Sequence, residues 1–335
     1  MPKPLDKTTL VVVLNFNGWK ETIACIESVL EQNDKKFHIL LIDNGSKDQS
    51  LAKLKRFDNH KNVTFQKEPI NLGFAGGVNI GIRKAIEEGY KYTALLNNDA
   101  TVTRDWLKIL ITTLEKTGAS IATGLLLDSS GKKIESTGDS YSKFGLPFPR
   151  QRDEGVEDAK NSGFVFGGTA GASVYKTSLF KDIGLFDETF FAYYEDTDIN
   201  YRAQLAGHTA YYEKSAIAYH DHGTTSSKIP GFTVFQTFKN LPIFLWKDVP
   251  IQLFLGTALR FYAYLLIIYI RAILRGQFVV ATKGLLKSLV LFPHALSERR
   301  RIQKTRKVSI KYMKSIIHPE LPPSTKQKGL KIFHK

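Results

Sequence analysis

Strands alternate with helices along the first hundred residues, and this order constrains the fold more than any other feature of the sequence. Apolar runs at residues 10–14, 37–42 and 92–96 each end in a polar cluster, with helix-period stretches between them. This alternation predicts an α/β fold with a mostly parallel central sheet and helices on both faces. Ligands of such sheets bind beyond the carboxyl ends of the strands, where all three polar clusters fall. The clusters are residues 15–18, 43–46 and 97–99.

Three further segments complete the amino-terminal part. Residues 71–77 are rich in glycine and predict a loop that leads into a helix from Ile80 to Ile86. Residues 128–163 have few apolar positions, which predicts an irregular excursion outside the core that could act as a lid or an acceptor loop. A helix is expected from Asp196 to Ala206, because acids open it and Gly207 follows it.

The chain carries a formal net charge of +15, and the charge is concentrated at one end. Residues 226–335 contain 20 Lys or Arg and three acids, so they carry +17, while residues 1–225 carry −2. This division predicts one domain over residues 1–227 and a basic amphipathic helical region over residues 228–335. The single cysteine excludes an intramolecular disulfide, and no signal-peptide pattern opens the sequence, so we expect a reducing compartment.

The basic region predicts helices that lie in a membrane interface. Its longest uncharged apolar run, residues 261–270, is about half of the ~20 residues that a spanning helix needs. At about 100° per residue, Arg260, Arg271 and Arg275 fall in one narrow arc, opposite apolar side chains. This pattern favours an anionic membrane surface as a partner. Aromatic residues here lie within apolar runs rather than between the cations, which argues against nucleic acid.

Asp99 and Asp43 each end a strand at the ligand edge of the predicted sheet. Asp99 could hold a divalent cation, because Mg²⁺ usually takes one or two carboxylates and completes its shell with water and phosphate oxygens. Asp43, with Asn44 beside it, could accept hydrogen bonds from a base or a ribose. Both segments are also consistent with ordinary turns, since Asn, Asp and Gly favour turn positions.

The glycine segment 71–77 could bring backbone amides close to a diphosphate, or it could be a plain connection. His220 and His222 follow a predicted strand and could contact a metal or a phosphate. Each histidine is also consistent with a structural role.

Glu195, Asp196 and Asp198 follow an aromatic cluster at residues 190–194. Beside apolar rings, desolvation would raise the pKa of a general base toward the working range. The same acids would also stabilise the dipole of a helix without any catalytic role. The spacing alone leaves both interpretations open.

In their order, these segments resemble glycosyltransferase family 2, of the GT-A fold, and more narrowly its bacterial rhamnosyltransferase-like members. The resemblance spans about residues 9–225, and the ordered set is specific. The matching segments are VVLNFN at 12–17, IDNGS at 42–46, NLGFAGG at 71–77, LNND at 96–99, Gly171-Ala172, residues 186–188 through 194–196, Arg202 and His220. The sequence departs from the family's Asp-x-Asp pattern at Asn97, where an amide oxygen can still ligate a hard cation.

The resemblance implies roles for individual residues. Asp196 is implied as the general base, and Asp99 with His220 as the ligands of Mg²⁺ or Mn²⁺, His222 being the alternative to His220. The implied acceptor contacts are Gly171, Ala172 and Glu195. The implied donor-site residues are Asn17, Asp43, Asn44, Asn71, Gly73, Phe74, Ala75, Asn79 and Asn98.

The implied reaction is a single displacement with inversion at the anomeric carbon, in which Asp196 takes the proton of the acceptor hydroxyl. The implied donor is a nucleotide sugar, with dTDP-rhamnose favoured and UDP-linked hexoses or galactofuranose as alternatives. A polyprenyl-linked glycan is the implied acceptor, in cell-surface polysaccharide synthesis at the cytoplasmic face of the membrane, with a peripheral or monotopic attachment. The residues alone also leave open a sugar-phosphate nucleotidyltransferase and a non-enzymatic basic protein that binds membrane or nucleic acid.

Overall fold

The computed structural model describes residues 8–221 and 229–323. The first part is an α/β unit. Its elements are β1 (Thr9–Asn15), α1 (Trp19–Leu30), β2 (Phe37–Asn44), α2 (Ser50–Leu54), β3 (Val63–Glu68), α3 (Gly73–Glu87) and β4 (Tyr92–Asn97). The four strands are parallel in the order β3-β2-β1-β4, which confirms the predicted alternation. Their carboxyl ends bring the three polar clusters to one edge.

The sheet continues with strands of both directions. The elements are β5 (Ala100–Val102), α4 (Trp106–Thr117), β6 (Ile121–Asp128), β7 (Ile134–Ser136), β8 (Asp139–Tyr141), β9 (Pro147–Pro149), β10 (Gly163–Val165), β11 (Ala172–Lys176), α5 (Thr177–Ile183), α6 (Glu195–Leu205) and β12 (Ala210–His220). β11 runs antiparallel between β4 and β6, and β12 is parallel to β6. The prediction of a mostly parallel sheet is therefore wrong for this half. Parallel neighbouring strands need a crossover connection, which is usually a helix. In the described residues, the connection from β6 to β11 contains only one short 3-10 turn and no α-helix.

Helices cover both faces of the sheet, as predicted. Cys25 and Ile26 of α1 join Trp106 of α4 in the core on one face. The other face is covered by α3, α5 and α6, which contribute the buried residues Ile82, Leu179 and Ile199.

The glycine-rich segment is a helix rather than a loop. α3 begins at Gly73, which has a φ of +72°. A Cβ on Gly77 would lie 2.4 Å from a methyl carbon of Leu14, and one on Gly81 would lie 2.4 Å from a methyl carbon of Val12. These glycines let α3 approach β1 closely, which explains a glycine content that is otherwise unfavourable in a helix.

The excursion at 128–163 is more ordered than its composition predicts. It contains the short strands β7, β8 and β9, with β8 and β9 forming a separate two-stranded sheet. Ile134 and Tyr141 are each only 1% exposed. The Tyr141 ring lies 5.1 Å from the ring of Tyr201 in α6 and 5.3 Å from that of Phe244, centroid to centroid. The prediction that the excursion lies outside the core is wrong, because these few apolar residues are enough to anchor it.

In the part of the chain that the structure describes, five helices follow residue 229. They are α7 (Phe232–Asp248), α8 (Ile251–Leu274), α9 (Phe278–Val290), α10 (Phe292–Thr305) and α11 (Ile310–Ile316). Among the described residues, α8 alone is a single helix long and apolar enough to cross a membrane, and only 22% of its most apolar window is buried. α9 and α10 would meet the same length and composition test as a pair, although they are bent by 53°.

The outward face of α8 is apolar over the whole length of the helix. Leu255, Leu259 and Leu266 are 71%, 68% and 59% exposed. At about 100° per residue, Arg260, Arg271 and Arg275 lie about 120–180° around the helix from the centre of these three leucines. This is the predicted arrangement of cations opposite an apolar face, but the side of α8 that packs on the protein is also apolar, with Phe261 and Leu265 buried. Membrane contact at the outward face stays a prediction.

The carboxy-terminal helices share a core with the catalytic part. Phe244 of α7 and Phe261 of α8 are fully buried in one cluster with Phe190 and Tyr201. The predicted boundary at residue 227 therefore separates two parts of the sequence that pack as one hydrophobic unit in the described residues.

Candidate active site

Side chains at the carboxyl ends of β1 and β2 form a hydrogen-bonded group around Asp43, which is 1% exposed. Asn15 Nδ2 donates to Asp43 Oδ1 at 2.7 Å, and the backbone N–H of Ser46 donates to Asp43 Oδ2 at 3.1 Å. Asn17 has a φ of +53°, and its side-chain oxygen accepts from the backbone N–H of Lys47 at 2.7 Å. The carboxylate is thus rigidly held at the ligand edge.

Hydrogen bonds of the Asn44 and Asn71 side chains connect the end of β2 to the start of α3. Asn44 Nδ2 donates to Asn71 Oδ1 at 3.0 Å and to the carbonyl of Gly73 at 3.1 Å. The backbone N–H of Ala75 donates to the carbonyl of Phe191 at 3.2 Å. Because a Cβ on Gly73 would lie 2.3 Å from the same carbonyl oxygen, only glycine fits there. These residues place the start of α3 against the segment that precedes α6.

Two of the predicted donor-site residues pack toward residues 186–188. The Asn79 amide is 1% exposed, donates to the carbonyl of Phe186 at 2.9 Å and accepts from its N–H at 3.0 Å. The Phe74 ring meets the Phe186 ring edge to face, with centroids 6.2 Å apart. Asn79 therefore fixes α3 to this segment through its side chain.

Asn98 and Gly171 pack around the end of β4. Asn98 Nδ2 donates to Thr22 Oγ1 at 3.0 Å. The backbone N–H of Asn97 donates to the carbonyl of Gly171 at 2.8 Å, and a Cβ on Gly171 would lie 2.9 Å from Asn97 Nδ2. Ala172 follows as the first residue of β11, opposite Leu96. Glycine at 171 thus leaves room for the polar end of β4.

Asp99 and His220 face each other at the same edge. β12 pairs with β5 so that His220 lies opposite Ala100, next to Asp99 in sequence. The distance from His220 Nε2 to Asp99 Oδ1 is 2.9 Å, and that from His220 Nδ1 to Glu135 Oε2 is 2.8 Å. Burial lowers the pKa of His220, but the hydrogen bonds with Asp99 and Glu135 outweigh this effect and raise it to about 10. His222 lies outside the described residues.

The donor set of Asp99 and His220 fits a divalent cation. A carboxylate and an imidazole nitrogen are common ligands of Mn²⁺, and a carboxylate on the other ring nitrogen, here Glu135, is the usual outer partner of a metal-bound histidine. Among the described residues no group of three or more His, Cys, Asp or Glu could hold a metal ion. Phosphate oxygens and water would therefore have to complete the shell.

Asp139, Glu195 and Asp196 form a second group of acids. Burial raises the pKa of all three acids. The nearby Asp196 raises the pKa of Asp139 and of Glu195 further, and the pKa of Glu195 reaches about 8. The N–H of Thr197 donates to Asp196 Oδ1 at 2.7 Å and partly opposes the rise. A raised pKa suits a general base that works near neutral pH.

Arg152 connects the two groups of acids. Arg152 Nη2 lies 3.2 Å from Glu135 Oε1, and the guanidinium lowers the pKa of both Asp139 and Asp196. One side chain thus lies within electrostatic range of the predicted base and in contact with the partner of His220.

Asp198 has a different role from its neighbours. It is fully buried, and its carboxylate lies 2.6 Å from Arg202 Nη2 and 2.5 Å from Lys247 Nζ. Burial raises its pKa, but Arg202 and Lys247 lower it below the ordinary value. This acid holds α6 to α7 and lies in an ion cluster rather than at a binding surface.

The comparison with known families agrees with this geometry. The family model described as glycosyl transferase family 2 matches residues 10–184, more than half of the chain. The chain belongs to glycosyl transferase family 2.

Several curated proteins are similar to this glycosyltransferase. The low-salt glycan biosynthesis hexosyltransferase Agl10 of Haloferax volcanii is 24% identical over 209 residues, which are 60% of this chain and 62% of that protein. The dTDP-rhamnosyl transferase RfbF of Shigella flexneri is 24% identical over 231 residues, covering 69% and 74% of the two chains. An uncharacterized glycosyltransferase of Rickettsia felis is 32% identical over 149 residues, 43% of this chain and 24% of that protein. The chain therefore spans less than two thirds of two of these relatives.

Solved structures of glycosyltransferases share the fold. The Staphylococcus aureus TarS 1–349 complex with UDP-GlcNAc has a TM-score of 0.55 at 13% identity and covers 89% of this chain and 91% of that one. The mannosyltransferase PcManGT of Pyrobaculum calidifontis, in complex with GDP-Man and Mn²⁺, has a TM-score of 0.52 at 13% identity, with coverages of 88% and 89%. The glycosyltransferase described here thus has a mixed α/β, GT-A-like fold.

Three residues of this glycosyltransferase site were missed from the sequence. Glu135, Asp139 and Arg152 all lie in the excursion, where polar composition predicts solvent-exposed loop. The clearest sequence signal for them is the isolated apolar residues nearby, such as Ile134 and Tyr141, which anchor β7 and β8 in the core. The suggestion that the excursion could act as an acceptor loop stays a prediction.

Proposed function

We propose that this glycosyltransferase moves a sugar, with rhamnose favoured, from a nucleotide diphosphate donor to a membrane-linked glycan, with inversion at the anomeric carbon. The observation that carries the proposal is the link through Arg152 between the Asp99–His220 pair and the acid group around Asp196. Similarity to a protein named dTDP-rhamnosyl transferase supports rhamnose as the sugar.

Each group of residues has a distinct task in the proposed reaction. Asp43, held by Asn15 and Ser46, accepts hydrogen bonds from the nucleoside of the donor. Asp99 and His220 would hold Mg²⁺ or Mn²⁺, which when bound offsets negative charge on the departing diphosphate. Asp196 takes the proton of the acceptor hydroxyl as that oxygen attacks the anomeric carbon.

Inversion is favoured because the site offers one suitable base and no suitable second nucleophile among the described residues. Burial and the nearby Asp196 raise the pKa of Asp139 well above its ordinary value, which disfavours the carboxylate form that a nucleophile needs. Asp198 is held between two cations. A single displacement therefore fits the group better than a covalent intermediate.

The membrane-linked acceptor is supported by the outer surface of α8 and α9. Leu286, Leu289 and Val290 of α9 are 57%, 68% and 68% exposed and form a second apolar outward face. Lys283 and Lys287 lie along its border and are exposed. An apolar face bordered by cations is suited to the interface of an anionic membrane at the cytoplasmic side.

A donor screen tests the proposed function. The full-length protein would be incubated with Mn²⁺ and, separately, dTDP-rhamnose, UDP-galactofuranose, UDP-GlcNAc and GDP-mannose, with a polyprenyl diphosphate-linked glycan as acceptor. We expect transfer from dTDP-rhamnose to exceed that from the others by at least tenfold, with inverted configuration in the product by NMR. Transfer from a different sugar would overturn rhamnose alone. Absence of transfer from every donor would contradict the proposed reaction.

A further inference from the structure

The segment that precedes the predicted base has an unusual backbone. Phe191, Tyr193 and Tyr194 have φ values of +64°, +67° and +73°. These values lie in the left-handed region, which is unfavourable for residues with a Cβ and is rare for bulky aromatic residues. The carbonyl of Tyr194 accepts from the N–H of Asp198 in the first turn of α6, so this turn sets the start of the helix that carries Asp196.

Two neighbouring residues of α7 hold this strained turn. Asn240 Nδ2 lies 3.0 Å from the carbonyl oxygens of Phe190 and Ala192 and 2.8 Å from that of Tyr193. Lys239 Nζ donates to the carbonyl of Phe190 at 3.1 Å and to that of Thr189 at 2.9 Å.

Both side chains are buried away from solvent. Asn240 is 1% exposed and Lys239 is 5% exposed. Placing an amide and an ammonium group in the interior is unfavourable unless their donors are satisfied. Here the carbonyls of the turn satisfy them, so the turn and the two side chains depend on each other.

The turn is also contacted from the opposite side. The carbonyl of Phe191 accepts from the N–H of Ala75, and the missing Cβ of Gly73 leaves room for it. The turn therefore lies between the start of α3, where the donor site is predicted, and α7. A change in its backbone would alter where α6 begins relative to the donor.

We propose that Lys239 and Asn240 are positioning residues that keep the 189–194 turn in its strained form and thereby aim Asp196 at the acceptor hydroxyl. The inference rests on the proposed role of Asp196 as the base. Neither residue touches the reacting atoms in this scheme. Their removal should reduce the rate of transfer while leaving donor binding intact.

The test uses three full-length variants. Asn240→Ala removes the amide, and Lys239→Met removes the ammonium group while filling similar space. Gln236→Leu is the matched control, because Gln236 is also buried on α7 at 2% exposure and forms no hydrogen bond with the turn among the described residues. Three properties would be measured: single-turnover transfer, binding of dTDP and UDP with Mn²⁺ by calorimetry, and amide hydrogen exchange of peptides covering residues 189–198.

We expect Asn240→Ala to slow transfer at least tenfold and to speed exchange in the turn at least tenfold, with the nucleotide dissociation constant within twofold of wild type. Lys239→Met should slow transfer and speed exchange by smaller factors, and Gln236→Leu should change neither rate. If Asn240→Ala fails to fold, Lys239→Met decides. Transfer within twofold of wild type in the folded variants would overturn the inference. A wild-type protein that transfers no sugar would overturn the proposed function itself, and the inference with it.

Discussion

Three acids in the first turn of α6 lie in three different environments. Asp198 pairs with Arg202 and Lys247, and its pKa is lowered. Glu195 is 7% exposed, and burial together with the nearby Asp196 raises its pKa to about 8. Asp196 is stabilised by one N–H and lies within range of Arg152. The sequence motif alone does not distinguish these environments, because each depends on residues distant in the chain.

The raised pKa of Glu195 makes stability depend on pH. Its pKa is higher in the folded protein than the 4.5 of an ordinary glutamate, so its contribution to stability is full below pH 4.5 and is lost as pH rises through about 8. We expect Glu195→Gln to be more stable than wild type at pH 8, by ~1–3 kcal/mol at about 1.4 kcal/mol per pKa unit, discounted for coupling. The difference should vanish near pH 4. Urea unfolding at both pH values measures it, and an equal difference at both would contradict the assignment.

The contact between Glu135 and His220 predicts an effect on metal binding. Losing the outer carboxylate of a metal-bound histidine typically weakens binding ~10–100-fold. We therefore expect Glu135→Gln to weaken Mn²⁺ binding about tenfold in the presence of UDP or dTDP, measured from the free-Mn²⁺ signal by electron paramagnetic resonance. Glu157→Gln, also in the excursion, is the control and should bind as wild type does. Unchanged Mn²⁺ affinity in Glu135→Gln would remove His220 from the metal site.

At the scale of elements, the sequence predicts regular periodicity well and tertiary proximity poorly. The alternation through β4 and the helix from Asp196 to Ala206 were predictable, the latter within one residue at each end. From the sequence, the glycines of α3 predict a loop. The structural reason for them is the close approach of α3 to β1, and no local sequence pattern reveals that approach. The prediction of a mostly parallel sheet is wrong at β11, because the reversed direction of this strand depends on the long return from β6.

The outward face of α8 predicts membrane binding through apolar contact. We expect replacement of Leu255, Leu259 and Leu266 by Gln to abolish flotation with vesicles of phosphatidylglycerol and phosphatidylethanolamine, since burying each leucine is worth ~1.5–3 kcal/mol. Thermal unfolding should stay close to wild type because these side chains are already exposed. Leu51→Gln is the control, as Leu51 is an exposed leucine of the catalytic part at 38%. Undiminished flotation of the triple variant would contradict membrane contact at this face.

At the scale of the whole molecule, the division of charge along the sequence does not mark a division of the structure. Lys247 is fully buried, with its Nζ 2.6 Å from Asp187 and 2.5 Å from Asp198. Net charge by segment contains no information about which apolar residues share a core. The helices after residue 229 therefore belong to the catalytic unit as well as to the proposed membrane surface.

Truncation tests this unity. A chain ending at residue 230 loses Phe244 and Lys247, which exposes the cluster around Tyr201 and leaves Asp187 and Asp198 without their shared cation. Removing one partner of a buried ion pair costs ~3–5 kcal/mol in addition to the lost apolar burial. We expect the truncated chain to lack a cooperative thermal transition by circular dichroism. A soluble, cooperatively folded product that binds nucleotide would show that the catalytic part is independent.

The central claim is that Asp196 accepts a proton during glycosyl transfer, and one substitution tests it most directly. Asp196→Asn keeps the shape and the acceptor oxygen for the Thr197 N–H, but it cannot accept the proton. We predict that single-turnover transfer falls by ~10²-fold or more, while the donor dissociation constant stays within about twofold of wild type. Transfer by Asp196→Asn at a near-normal rate would contradict the account and leave Asp196 as a helix-start residue only.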